Sequence, residues 1–460
     1  MKKWIGLFSL VVIVLIAYYI MGAMARTTFT QNIDSFPKSS VINLHLDQYQ
    51  QGWFSSKARL DVKMHIPAQK ITDQSGVVKM DTPLDMDISI PLRIKHGPFI
   101  KTDNGFRFGL AEIATRPDTH YKALINYLRE TVIKYSLPSL DFKGTDGAPD
   151  GAVQINWEGL NTELRVSSNL DKINANLDVY GLNGSASTAD FNFGKLEYDV
   201  QLWRHQEWLW LGQSHLGLAA VTINAPDSEN FNLQGLDLRF NSDVTDNKMG
   251  IDCKLSLEKL IVDNQNYGPG VFKLSIKNLD PNVMAKLNQQ EANMVENNVD
   301  PNLAMLAIAT ELPNLLTKGP VIELSEMNLI LPEGQINGNF KIWLPENEAK
   351  NSSQVMQKVR GEGHFKAPVR LVKSLVTASI KSDLVKKAQQ QQQPASVTNP
   401  MDTFPAPAAV SPEVEAEKQA EQLLTDLTHK GYLKREGDNY IVDFTLENQK
   451  IQINGKSLNI

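Results

Sequence analysis

The segment Lys57-Ala58-Arg59-Leu60-Asp61-Val62-Lys63-Met64-His65-Ile66 alternates polar and apolar residues without a break. A strand turns successive side chains to opposite faces, so this segment makes one apolar and one polar face; a helix of the same sequence would mix them. The same period recurs on both sides. Ile42, Leu44 and Leu46 alternate with Asn43, His45 and Asp47. Met86, Ile88, Ile90, Leu92 and Ile94 repeat the pattern, with Pro91 fitting only at a sheet edge or bulge. Residues 173–179, 191–200, 233–240, 251–261, 271–276, 322–331 and 335–343 follow it too. Strands of this kind build antiparallel sheet with one covered face.

Helical patterns are fewer. Tyr121, Leu124, Ile125, Leu128 and Ile133 recur at three-to-four spacing and predict a helix over 118–134. Asp280-Pro281 and Asp300-Pro301 each read as an N-cap followed by proline at the first helical position, framing a helical insert at about 281–318. A further helix is expected over 369–388. Residues 389–411, glutamines followed by Pro394, Pro400, Pro405 and Pro407, read as a linker. Ser411-Pro412 opens a final helix carrying Leu423, Leu424 and Leu427, which Gly431 stops. Strands at 440–446 and 451–453 follow, with Asn454-Gly455 as a turn.

The chain has 460 residues, 42% apolar and 21% charged, an ordinary globular balance that argues against wholesale disorder and against a polytopic membrane protein. With 46 basic and 52 acidic residues the net charge is −6, which leaves no electrostatic footprint for nucleic acid. The single cysteine, Cys253, excludes an intramolecular disulfide and a multi-cysteine metal cluster.

Lys2 and Lys3 precede an uncharged run from Trp4 to Ala25. As a helix this run would span roughly 33 Å, enough for a hydrocarbon layer of ~30 Å. The lysines would stay in the cytoplasm and send the rest across the membrane, with Trp4 at one interface and Tyr18 and Tyr19 at the other. The alternative is a signal peptide cleaved after Ala23-Met24-Ala25. The expected fold is α+β and β-dominated: a transmembrane helix, then extended antiparallel sheet with helices covering one face. The expected divisions are a cytoplasmic stub (1–3), the anchor (4–25), a β-rich periplasmic region (26–388), the linker (389–411) and a helix-strand element (412–460). That last element either packs on its own chain or exchanges with a second copy in a homodimer.

Several phrases occur together and in order: Tyr49-x-x-Gly52-Trp53-Phe54-Ser55-Ser56, His96-Gly97-Pro98-Phe99, Tyr267-Gly268-Pro269-Gly270 with Asn278-Leu279-Asp280, Leu312-Pro313 to Gly319-Pro320, and Gly431-Tyr432 to Ile453-Asn454-Gly455-Lys456. In these phrases and in its N-terminal anchor the chain is similar to the YdgA-like family of uncharacterised bacterial envelope proteins. The resemblance implies an inner-membrane-anchored periplasmic protein of a Gram-negative bacterium and brings no activity with it. The proline-rich linker is not part of that resemblance.

Taken singly, the phrases read as structural. Trp53 and Phe54 would begin a strand and lie on opposite faces. His96 has no His-x-His or His-x-x-x-His partner, so a bond from its imidazole to turn backbone is the simplest account. Gly212-Gln-Ser214-His215-Leu216-Gly217 misses the nucleophile-elbow spacing by one residue. Gly455-Lys456-Ser457 lacks both the first glycine and the following helix of a phosphate loop. Asp85 and Asp87 share a polar strand face. No catalytic set, cofactor site or metal site emerges, and a non-enzymatic protein is expected.

The unusual segment is Trp203–Leu211, read as one strand apolar on both faces, with Trp208 and Trp210 on one of them. Such a strand is either buried on both sides or contacts a lipid or protein partner, with Trp203, Trp208 and Trp210 as the contact residues. Two functions follow: an envelope scaffold or assembly factor holding a protein partner, or an apolar sheet groove that binds or transfers a lipid or other amphiphile.

Overall fold

The computed structural model describes residues 2–458 except 36–41, 67–69, 73–77, 81–83, 103–104, 116–120, 146–151, 186–188, 225–229, 297–309, 312, 349–351 and 392–411. Side chains of residues 2–13, 42, 64–66, 70–72, 78–80, 84–86, 102, 105, 114–115, 121–122, 144–145, 152, 295–296, 352–353, 356, 387–391 and 412 are also outside the description. Thus Asp118, Asp300-Pro301, Leu312 and all of the linker beyond Gln391 lie outside the described residues.

Strand dominates, in one 24-stranded sheet. Its spine begins with β1 (Ile42–Gln51), β2 (Ser55–Ile66), β3 (Leu84–His96), β4 (Ala111–Thr115), β5 (Tyr121–Ile125) and β6 (Thr131–Leu137). It continues through β7 (Ala152–Val166), β8 (Lys172–Ser185), β9 (Leu196–Gln206), β10 (Leu209–Asn224), β11 (Phe231–Thr245) and β12 (Lys248–Leu257). It ends with β13 (Gly270–Leu279), β14 (Val321–Leu331), β15 (Gly334–Trp343), β16 (Arg360–Pro368), β17 (Asn439–Glu447), β18 (Lys450–Ile453) and β19 (Lys456–Leu458). Each strand pairs antiparallel with the next, and short strands extend β7, β8, β11 and β17. The C-terminal strands therefore continue this chain's own sheet, through β16–β17.

Directly opposed residues of an antiparallel pair share a face. One row of such partners runs Ile94, Ile113, Ala123, Ile133, Leu164, Ala175, Val200, Ser214, Phe240, Cys253, Leu274, Leu324, Phe340, Gly363, Phe444, Ile453. From β3 to β18 the row carries a single hydroxyl, at Ser214. The opposite face carries ion pairs, such as Lys134–Glu163, Lys273–Glu326 and Lys277–Glu323. Those pairs are worth at most about 1 kcal/mol each, so burial of the apolar row has to hold the sheet.

Three helical elements supply cover. Helix α1 (Lys2–Asp34) lies against the first strands, where Ala25 packs with Ala58, Leu92, Ile94 and Ile113. Helix α2 (Pro281–Glu296) contributes Met284 and Ala285 to a second cluster around Leu209, Leu211, Met249 and Leu279. Its N-terminus is capped as the sequence predicts, with Asp280 Oδ1 accepting from Asn282 N at 2.9 Å. Helices α3 (Val369–Gln391) and α4 (Pro412–His429) form a pair over the last strands, tied by Lys373–Glu417 at 3.0 Å and by Ala416, Ala420 and Leu424, all buried. Between these covers Tyr198, Leu238, Phe240 and Leu255 remain exposed.

Three local expectations are corrected. Residues 118–134 form no helix where they are described: β5 and β6 make a hairpin with Ala123 opposite Ile133. Its turn is closed by Asn126, whose Oδ1 accepts from Leu128 N at 2.9 Å and Glu130 N at 3.0 Å. Trp203–Leu211 is not one strand either, because Glu207 and Trp208 turn between β9 and β10 and Trp208 is left-handed at φ 65°. Trp208 and Trp210 therefore do not share a strand face. Finally, α1 does not end near Ala25 but continues for more than two further turns.

Burial predicts the response to truncation. Leu211→Ala, at 1% exposure, should lower unfolding free energy by about 2–5 kcal/mol in a denaturant titration. Leu238→Ala on the open stretch should change it by no more than about 0.5 kcal/mol.

Candidate functional site

The seat of α1 is assembled from two of the phrases noted in the sequence. Strand β2 begins at Ser55, leaving Gly52, Trp53 and Phe54 in a turn closed by Gly52 N donating to Ser55 O at 3.1 Å. Trp53 and Phe54 do not take opposite strand faces. They receive the helix: Tyr18 meets Phe54 edge-on at 5.1 Å between ring centroids, and Tyr19 meets Trp53 at 5.3 Å. Gln51 Nε2 donates to Tyr19 O at 3.1 Å, and Tyr18 Oη donates to Phe99 O at 2.8 Å. Two turns further on, Arg26 lies over the half-buried ring of Tyr49 at 5.2 Å. Burial pushes the Tyr49 phenol pKa up.

His96 is the centre of the seat, at 1% exposure. Its Nδ1 lies 3.2 Å from Tyr18 O, which only accepts, so Nδ1 carries the proton. Its Nε2, 3.1 Å from Ser56 Oγ, is then the acceptor. The imidazole bonds helix backbone and a strand hydroxyl rather than its own turn. Desolvation depresses its pKa. Two glycines make the approach possible. A Cβ on Gly22 of α1 would fall 2.5 Å from His96 Cε1, and one on Gly97 would fall 2.0 Å from the Tyr18 ring at a φ of +134°. Pro98 O accepts from Tyr127 Oη at 2.8 Å, which brings the β5–β6 turn to the same place.

Beyond the seat, the last turns of α1 roof a hollow of about 560 Å³. Phe29, Asn32 and Ile33 form the roof; Leu44, Leu60, Leu92, Ile113, Ile133, Leu164 and Val166 form the floor, with Leu170, Ile173, Leu202 and Trp210 at the far wall. Two polar groups interrupt this lining. Asn32 Nδ2 donates to Thr131 Oγ1 at 2.9 Å, while Asn32 Oδ1 is buried with no protein partner among the described residues. Leu202 stands on the same strand face as Val200 and Tyr198, so the hollow leads onto the open part of the apolar face.

Of the three tryptophans singled out in the sequence, Trp210 lines the hollow, with its Nε1 donating to Leu170 O at 3.2 Å. Trp208 offers its carbonyl to Asn288 of α2 at 2.9 Å, and Trp203 is exposed on β9. Gly268, Pro269 and Gly270 lie far along the sheet, where Gly268 N donates to Ile330 O at 2.7 Å. Phe29, Asn32 and Ile33 were not anticipated, although Met21, Ala25, Phe29, Asn32 and Ile33 recur at three-to-four spacing and mark a helix face. Lys2, Lys3 and Trp4 lie in the backbone of α1 with side chains outside the description. Among the described residues, no helix is long and apolar enough to cross a membrane and no group of three His, Cys, Asp or Glu could hold a metal.

A model of a bacterial family, described as a bacterial protein of unknown function (DUF945), matches residues 1–460. No curated protein matches the chain.

The seat carries a pH dependence whose sign follows from His96. The folded state resists a proton that the unfolded chain accepts, so stability is complete above the ordinary histidine range and is lost as pH falls below about 6.5. Thermal midpoints measured from pH 8 to 5 should fall more for the native protein than for His96→Gln. Gly97→Val should cost about 1–3 kcal/mol at every pH through its clash with Tyr18.

Proposed function

The chain belongs to that bacterial family of unknown function, DUF945, and we propose that it is a non-enzymatic envelope protein that shelters acyl chains of a membrane amphiphile. The observation that carries this reading is the apolar hollow under α1 and its continuation along the sheet. Its volume falls within the ~300–1,000 Å³ of ordinary small-molecule sites, and its lining is apolar except at Asn32 and Thr131. An unpaired buried amide oxygen in an apolar wall suits a ligand carrying one hydroxyl or amide donor beside a hydrocarbon chain.

The setting follows from the sequence: Lys2 and Lys3 in the cytoplasm, the run from Trp4 as an anchor in the inner membrane, and the sheet in the periplasm, as the YdgA-like resemblance implies. The packing of α1 supports an uncleaved anchor over a cleaved signal. Ala23-Met24-Ala25 sits in mid-helix with Ala25 at 1% exposure, and cleavage there would remove Tyr18, Tyr19 and Gly22 from the seat. The hollow would then have an opening beside the bilayer. The scaffold reading shares this anchor but gives the hollow no occupant.

Full-length protein extracted gently from its membrane should release stoichiometric lipid on mass spectrometry. Ile33→Trp, which fills the roof, should lose that lipid while keeping its circular dichroism and thermal midpoint. Native protein that emerges empty and takes up no fluorescent fatty acid would leave the scaffold reading in its place.

A further inference from the structure

Where α1 leaves the sheet, a set of turns gathers around it and presents large apolar side chains to solvent. Trp53 and Phe54 come from the β1–β2 turn, Phe99 and Phe108 from the segment between β3 and β4, and Tyr127 and Leu128 from the β5–β6 turn. These groups are one surface rather than scattered residues. Trp53 and Phe54 stack on Tyr19 and Tyr18; Tyr18 Oη bonds Phe99 O; Phe99 meets Phe108 at 5.4 Å; and Tyr127 Oη bonds Pro98 O. All six are exposed, Leu128 at 79% and Phe108 at 65%. Ile16 and Ile20 of the helix are exposed at the same level. A contiguous apolar surface of this kind is unfavourable in water and marks an interaction site.

We propose that this aromatic collar is a membrane-contact surface, seated at the boundary between headgroups and acyl chains of a phospholipid bilayer. The occupant is indicated by what passes through it. The uncharged run that begins at Trp4 enters the collar at Tyr18–Tyr19, about 22 Å of helix away at ~1.5 Å per residue. A hydrocarbon core is ~30 Å thick, so a collar at that height dips several ångströms below the interface, the depth reached by interfacial apolar groups. Trp and Tyr suit that depth because one end is apolar and the other bonds water or headgroups. Exposed Lys101 and Arg129 stand beside Phe99 and Leu128, a complement to anionic headgroups. The collar holds the sheet against the bilayer and brings the hollow under α1 to the membrane surface. The inference rests on reading α1 as an anchor.

The test uses the full chain with Cys253→Ser, reconstituted in vesicles of phosphatidylethanolamine and phosphatidylglycerol. Nitroxide labels are placed singly at Phe108→Cys and Leu128→Cys, at Lys450→Cys on the far β17–β18 turn, and at Leu10→Cys in α1. Molecular oxygen should relax the labels at 108 and 128 more than a water-soluble nickel chelate does, with the reverse order at 450. If 108 and 128 behave like 450, the collar stands in water and the proposal falls; a lipid-exposed label at 10 would then leave the anchor intact. If 108 and 128 are in lipid while 10 is in water, the collar stands and the anchor reading falls. Positions 108, 128 and 450 are exposed, so labels there do not put folding at risk.

Discussion

An antiparallel sheet held in continuous register has to do something with every side chain on each of its faces. Here the strand period puts apolar residues on one face from β3 to β18, and each cross-strand partner is again apolar or small apart from Ser214. That face loses free energy wherever it meets water, at about 25 cal/mol for each Å². The polar face gains little from its exposed ion pairs. Stability therefore depends on what lies over the apolar row, and the chain places helices over the beginning, the middle and the end of it.

The cover at the beginning differs from the other two. Helices α2, α3 and α4 pack as caps whose residues complete a local core. Helix α1 is both a cap and the N-terminal end of the chain, held by aromatic edges, by His96 and by two glycines that allow its backbone close to the sheet. Because its last turns stand off from the strands, a hollow remains where a fully seated helix would leave none. The residues that fix the helix and those that roof the hollow belong to one helix, so the seat and the roof share one backbone.

Much of the sheet is legible in the sequence because period two is a local property. Thus the strands around 57–66, 271–276, 322–331 and 335–343, the cap at Asp280, the helix start at Pro412, and the turn at Asn454-Gly455 are where the pattern puts them. The hairpin at Asn126 is not, because Tyr121, Leu124, Ile125, Leu128 and Ile133 happen to fall at helical spacing and the turn uses a side-chain oxygen rather than glycine or proline. The turn at Glu207-Trp208 is hidden for the same reason: a left-handed tryptophan leaves no compositional mark. The role of Gly52-Trp53-Phe54 and His96-Gly97-Pro98-Phe99 is invisible until the helix is seen between them.

The sequence by itself determined the class of structure, the polarity of the two sheet faces and the positions of most helices. These rest on neighbours within a few residues of one another, where backbone geometry alone relates spacing to facing. The tertiary structure decided how far α1 extends, what His96 touches, where the apolar face stays open, and that turns from β1–β2, β3–β4 and β5–β6 meet at one end. Those features join residues as far apart as Tyr18 and Phe99, 81 positions in sequence. No local pattern encodes such a pairing, because it follows from the twist and register of the intervening strands.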